Sequence, residues 1–585
     1  MKIKLLKSKT ALLLLVILGN CAVALAQNPL VPYVFTGVFN PVFTSTLPAN
    51  SDPNSNQTAN LQALIDQVSS NVGGGTVYVN PGVYRFNNLY LKSNVFLSID
   101  KGAIIKPYYS GAKTQSMTIF NLGSNDVGLN PVIISNVKVG CTNCGTDDKV
   151  TIDADGALGN FKAFGIAQVQ DFSISNFLIL DNATKIAGIN FTPSFKGFYS
   201  SNKQDNKGNP VLDSKGVQVV QQVPTGVSWS PLNGEMNNLE IQNAHPGYGL
   251  VQAQSCRNIS FKNCKAQGGS TLRLETGATI ALLPSNIDAD LGVVNDIYAE
   301  GITSVNGRNA MLFQPHSRIN GRVVAKNIRS IGSAFAVYAP TGFLDGDIGK
   351  NLLDADPNYI EGYYKDITID DVVATYGSNT AQLESDYQFY SQAYRNQSPL
   401  NNLPVFNGDN SLKIGPSIAV IGLRSVSNVA QQKQFENGSI VSTGTREDTM
   451  GGKFYLKMSN INGIGFTDPI SKCSTDLHRV EGYPFVLFGD DWSFGFNYDC
   501  SNLGTEDFNS NDTITVIPNP ASTSVIVSAP INSEIHIYNT LGSLLKKIQN
   551  SELKSTINVS DLSSGIYFVE ISLNGSRTVK KLIIE

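Results

Sequence analysis

Short runs in which apolar and polar residues alternate recur through the middle of the chain. Thr271-Leu-Arg-Leu-Glu-Thr-Gly277 sets Leu272 and Leu274 on one side and Arg273 and Glu275 on the other, the period-two pattern of a half-buried strand. Leu250-Val-Gln-Ala-Gln254, Leu312-Phe-Gln-Pro-His316 and Phe335-Ala-Val-Tyr338 have the same character. Gln252 lies 23 residues before Glu275, and Gln314 lies 24 before Tyr338. A repeat of this length, made of strands too short to bury their apolar side alone, predicts a solenoid of the parallel β-helix kind. Equivalent positions on successive coils then stack about 4.8 Å apart. Gln252, Glu275, Gln314 and Tyr338 are expected in one outward column, and Gln254, Gly277 and His316 in the next.

The pattern divides the rest of the chain. Asn60 to Asn71 is an amphipathic helix with Leu61, Leu64, Ile65 and Val68 on one face, placed to cap the first coil. Together with the strands of Gly73 to Tyr84, Leu89 to Leu91 and Val95 to Ile99, it resembles the opening of the pectin-lyase-like β-helices, which implies a right-handed parallel β-helix, an all-β fold. Strands with Gly, Asn and Asp corners continue from about Val132 to Ile189, and Asp153-Ala-Asp-Gly156 reads as a turn rather than a calcium loop. Residues 191–233 read as a long polar loop, and 341–415 as an inserted lobe containing a helix over 380–394. Coils return at Ile418 and fade by Cys500. A polar linker, 501–512, leads to short alternating strands over 513–585, a small β-sandwich. Its Val516-Ile-Pro-Asn-Pro-Ala521, Asp561-Leu-Ser-Ser-Gly-Ile-Tyr567 and Val579-Lys-Lys-Leu582 resemble the C-terminal sorting domain of the type nine secretion system. The resemblance implies secretion to the surface or medium by way of the periplasm.

Composition changes this picture in two places. Residues 1–26 carry Lys2, Lys4, Lys7 and Lys9, then an apolar run and Ala24-Leu-Ala26, the layout of a secretory signal peptide; the apolar run is short for a membrane span. The catalytic body is therefore expected over 27–500. Of the seven cysteines, Cys21 falls in that signal. The other six suggest three local disulfides in an exported protein: Cys141–Cys144, Cys256–Cys264 and Cys473–Cys500. With only four His and no second Cys pair at ligand spacing, a zinc site is not expected.

Charge is the second. Net charge is −4 overall, yet Ile241 to Leu344 holds nine basic and five acidic residues. A local basic surplus on an acidic exported protein points to an anionic polymer; no nucleic-acid motif is present. Arg273 suits an oxyanion because its fork matches planar oxygens, and Arg308 and Arg318 are further candidates. Glycoside hydrolysis needs a carboxylic acid at the leaving oxygen and a second group to direct water. Arg273 and Glu275, with Gln252 and His316, resemble the active centre of the iota-carrageenases, inverting β-helical hydrolases of β-1,4 bonds in a sulfated galactan. The resemblance implies Glu275 as general acid, with Gln252 and His316 placing water or sugar; Gln254, Gln314 and Tyr338, which share the outward columns, are expected to bind substrate. Where that family has an Asp serving as base, this chain has Gly277. Asp288, Asp290 or Asp345 could reach in, or His316 could share the role; its ordinary pKa of about 6.5 would set the acidic limb of the pH profile. A lyase acting on uronates and a non-catalytic glycan-binding surface protein are the rival readings. No cofactor is required by this chemistry, with room left for a structural calcium, sodium or chloride ion. The partners expected are a sulfated polysaccharide and the secretion machinery, and the chain is expected to be a monomer.

Overall fold

The computed structural model describes residues 29–424 and 515–585 apart from scattered positions, and 454–466, 478–479, 485–487 and 496–498 between them. The signal, the linker, Cys473 and Cys500 lie outside the described residues. Two long sheets wind together into a right-handed parallel β-helix. One has fifteen strands, with Thr44–Leu47 and Phe496–Tyr498 at its two ends. The other has eleven, and its central run is Ile189–Phe191, Gly249–Ala253, Ser270–Glu275, Asn309–Gln314 and Phe335–Ala339, each parallel to the next. Inward residues of successive coils pile into one continuous core, with Phe120 stacked on Phe164 at 5.2 Å and Phe164 edge-on to Phe177 at 5.1 Å. The helix Thr58–Ser69 buries Leu61, Ile65 and Val68 against this core, where the first coil has no coil beneath it.

The abundance of Asn has a structural cause. Strands of the larger sheet bend at residues with positive φ, such as Asn136, Asp171, Asn233, Asn258 and Asp296, and Asn94 takes the same conformation in the turn just before Val95–Ile99. Asn tolerates the left-handed conformation, and its amide can bond locally. Here the amides bond from coil to coil. Asn136 Nδ2 donates to Asn94 Oδ1 at 3.0 Å, Asn233 to Asp171 at 2.9 Å and Asn258 to Asn233 at 2.7 Å.

Several expectations change in detail. Glu275 does face Gln314, but Gln252 pairs with Arg273, and Tyr338 pairs with Leu312. The polar stretch 191–233 is not a loop: Ser194–Asn202 and Val220–Trp229 form an antiparallel hairpin. The insertion 341–415 is not one lobe, because Tyr363–Thr375 returns to the larger sheet between two excursions. The expected helix over 380–394 gives way to a strand, Thr380–Leu383, and a 3-10 turn, Glu384–Phe389. Asp386 accepts from the Leu383 amide and from Arg308, so it caps a short turn rather than extending a helix. Cys141 and Cys144 form the expected disulfide. Cys256 and Cys264 do not pair; both are free and buried. They lie on one strand, Cys256–Gln267, each facing the core, and at about 3.3 Å per residue they are far beyond bonding reach. The terminal unit packs a three-stranded and a four-stranded antiparallel sheet around Val525, Val527, Ile535, Ile537, Val569 and Ile571.

Candidate active site

The alternation of Ser270–Glu275 places Leu272 and Leu274 in the core, so Arg273 and Glu275 stand on the outer face of the smaller sheet. Glu275 is 5% exposed and touches three side chains. Gln252 Nε2 donates to its Oε2 at 2.8 Å, and Arg273 Nη2 to its Oε1 at 2.7 Å. The His316 Nε2 lies 3.1 Å from the same Oε1. On its other side, the His316 Nδ1 meets Asp345 Oδ2 at 2.8 Å. Arg273 also donates to the Gly247 carbonyl and lies over the Tyr248 ring, its Cζ 5.3 Å from the centroid.

Charges alternate along this line: Arg273, Glu275, His316, Asp345. Burial alone would raise the Glu275 pKa, but the Arg273 charge and the His316 contact overcome it and hold the carboxyl at about 2. Burial would lower His316, but its bonds to Asp345 and Glu275 raise it to about 9. At neutral pH the free site therefore holds a Glu275 carboxylate against a His316 imidazolium.

The other candidates separate by place. Gln314 sits opposite Glu275 and is partly exposed, as is Gln254, whose backbone N–H donates to the Phe191 carbonyl. Tyr338 is buried, stacked on Phe335 and edge-on to Phe389. Arg308 does not face solvent: its Nε and Nη2 each donate to Asp386 at 2.9 Å, a buried bidentate pair. Arg318 is fully buried, donating to the carbonyls of Pro284, Ile287 and Gly292, so it organises the loop after Gly277. Asp288 is taken by Lys196 at 2.7 Å and by the Val227 amide at 2.8 Å, and Asp290 is exposed. The basic surplus is not a patch at the site either. Arg257, Lys262, Lys265, Arg322, Lys326 and Arg329 belong to strands of the larger sheet, several of them in ion pairs. Only Arg273 of the nine brings its charge to Glu275 directly. Among the described residues, no group of three or more His, Cys, Asp or Glu side chains could hold a metal ion.

Sequence reasoning missed the partners that only tertiary structure supplies. Asp386 lies 78 residues after Arg308, and no local pattern links them. Phe343, whose ring is 4.4 Å from that of His316, falls in the stretch read as the start of a lobe.

Fold and site together define a class: a parallel β-helix with a buried carboxylate and imidazole in contact on its outer face. Comparisons with known proteins narrow this. The chain is 30% identical over 355 residues to an iota-carrageenase of Zobellia galactanivorans, covering 60% of this chain and 63% of that one. It is 29% identical over 298 residues to an iota-carrageenase of Alteromonas macleodii, covering 51% and 52%. The chain thus spans between half and two thirds of the length of these curated relatives. A solved iota-carrageenase complexed to iota-carrageenan fragments superposes with a TM-score of 0.53 at 22% identity, over 73% of this chain and 89% of that one, which shows the fold. Residues 515–585 match the family described as Secretion system C-terminal sorting domain, so the terminal sandwich is a sorting unit and the protein is exported. No helix among the described residues is long and apolar enough to cross a membrane.

Proposed function

We propose that this exported chain is an endo-acting glycoside hydrolase that cleaves β-1,4 bonds in a sulfated galactan of the iota-carrageenan kind, with inversion. The observation that carries the reading is the cluster of Gln252, Arg273, Glu275 and His316, within hydrogen-bonding distance on one wall of the coil. It occurs in a chain 30% identical to an iota-carrageenase. A carboxylate cannot donate a proton, but the imidazolium holds one a single hydrogen bond away. A substrate sulfate that draws the Arg273 guanidinium off Glu275 removes the main charge holding that carboxyl down. The proton then passes from His316 Nε2 to Glu275, which protonates the leaving oxygen as the anomeric C–O bond breaks. Water attacks from the opposite face of the sugar, and its proton goes to the vacated Nε2 lone pair. The cycle ends in the protonation state in which it began. Once protonated, Glu275 must swing away from the fixed imidazole toward the leaving oxygen, because the two groups start 3.1 Å apart and inverting enzymes leave about 6.5–9.5 Å between acid and base for the water.

Incubation with iota-carrageenan, its desulfated form, pectate and alginate tests this. The expected result is new reducing ends from the sulfated galactan without the ultraviolet absorbance of an unsaturated product, and an inverted anomeric signal in proton NMR. Unsaturated product would establish a lyase, and no product from any polymer a glycan-binding protein.

A further inference from the structure

We propose that Asp345 is the positioning carboxylate of this site, holding His316 as the proton carrier, and that Gly277 is kept bare because the His316 ring occupies the space a side chain there would fill. Gly277 has φ −89° and ψ −160°, extended backbone open to any residue, so its lack of a side chain is not a matter of conformation. A Cβ at 277 would lie 2.6 Å from His316 Nε2 and 2.7 Å from Cε1, closer than such contacts allow. The imidazole is thus bounded by Gly277 on one side, Glu275 and Asp345 at its two nitrogens, and the Phe343 ring. Its backbone is fixed as well: His316 has φ 47°, and its carbonyl accepts from the amides of Phe343 and Gly362.

Asp345 is itself held from a distance. Its carbonyl accepts from Ile348, whose side chain packs with Val223, Leu282, Leu352 and Tyr359. The hairpin grips the same segment: Lys203 pairs with Asp347, and Asn351 Nδ2 donates to Ser201 Oγ at 3.1 Å. The charged groups around His316 are few. Glu275 and Asp345 touch it, Arg273 lies beyond Glu275, and Arg308 adds positive charge near Glu275. Arg318, two residues on, turns its guanidinium to backbone carbonyls instead. Removing Asp345 therefore takes away one of the two negative groups that touch the ring among the described residues.

The proposal deepens the hydrolase reading, but its first test needs no substrate. The protein has four His, so the His316 ring can be assigned by NMR through its loss in His316→Ala. In the wild type the ring should remain protonated well above neutral pH. In Asp345→Asn its titration should move at least one unit lower, and Asp345→Glu should restore part of the shift. On a polymer that wild type cleaves, Asp345→Asn should move the alkaline limb of kcat/KM, which reports the free enzyme, in the same direction, with KM little changed. Gly277→Ala should perturb the His316 signals while leaving the melting cooperative. An unchanged His316 titration in folded Asp345→Asn would overturn the proposal, whatever polymer the enzyme attacks. Absence of activity on every polymer, with the titration shifted as expected, would instead overturn only the hydrolase reading.

Discussion

At the scale of single residues, the site turns on which group holds one proton. Glu275→Gln keeps the shape of the side chain and cannot pass a proton on. It should lower kcat by about 10²- to 10⁴-fold, the usual cost of losing a general acid, with circular dichroism unchanged. The sequence pointed to His316 as a base that sets an acidic limb, but a ring that already holds its proton at neutral pH sets an alkaline limb instead. With Glu275 near 2 and His316 near 9, the pair carries its one proton between those values and loses it as pH rises through about 9. The wild-type profile of kcat/KM should therefore fall on the alkaline side, and a fall set near pH 6.5 would count against the shared proton. Gln252, Glu275, Arg273 and His316 were legible because period-two alternation and coil length place them near one another. The register was legible only to within two residues: Gln252 still reaches Glu275, but diagonally, from beside Arg273. Arg308 and Arg318 were misread because charge in a sequence says nothing of whether a buried carboxylate or carbonyl is waiting for it.

At the scale of elements, the coils were readable and their interruptions were not. Each coil repeats a local pattern, whereas the hairpin and the two excursions are shaped by contacts with distant coils. The second excursion is fastened to the coils by the buried Arg308–Asp386 pair, reinforced by the Arg308 guanidinium over the Tyr338 ring, 5.3 Å from Cζ to centroid. Removing one member of a buried pair leaves an uncompensated charge and costs about 3–5 kcal/mol. Arg308→Ala should lower the melting temperature accordingly, and a paired Arg308→Met, Asp386→Leu replacement should recover most of the loss. If Arg308→Ala melts like wild type, the pair does not fasten that excursion.

At the scale of the whole molecule, the address was read from short motifs and the terminal sandwich carries it. Deleting 515–585 should leave the protein inside the producing cell, with activity in the lysate and none in the medium. Release of the truncated protein at the wild-type level would count against a sorting role.

The asparagine corners carry a consequence of their own. In each of the three contacts described, the amide belongs to the later coil and the oxygen to the earlier one. The ladder is therefore a one-way chain. A carboxylate can open it, as Asp171 does beneath Asn233, but has no hydrogen to hand to the coil before it. Asn233 stands in the middle of that chain, its amide spent on the coil before and its oxygen on the coil after, so an Asp in its place would keep the second bond, lose the first and set two carboxylates against each other.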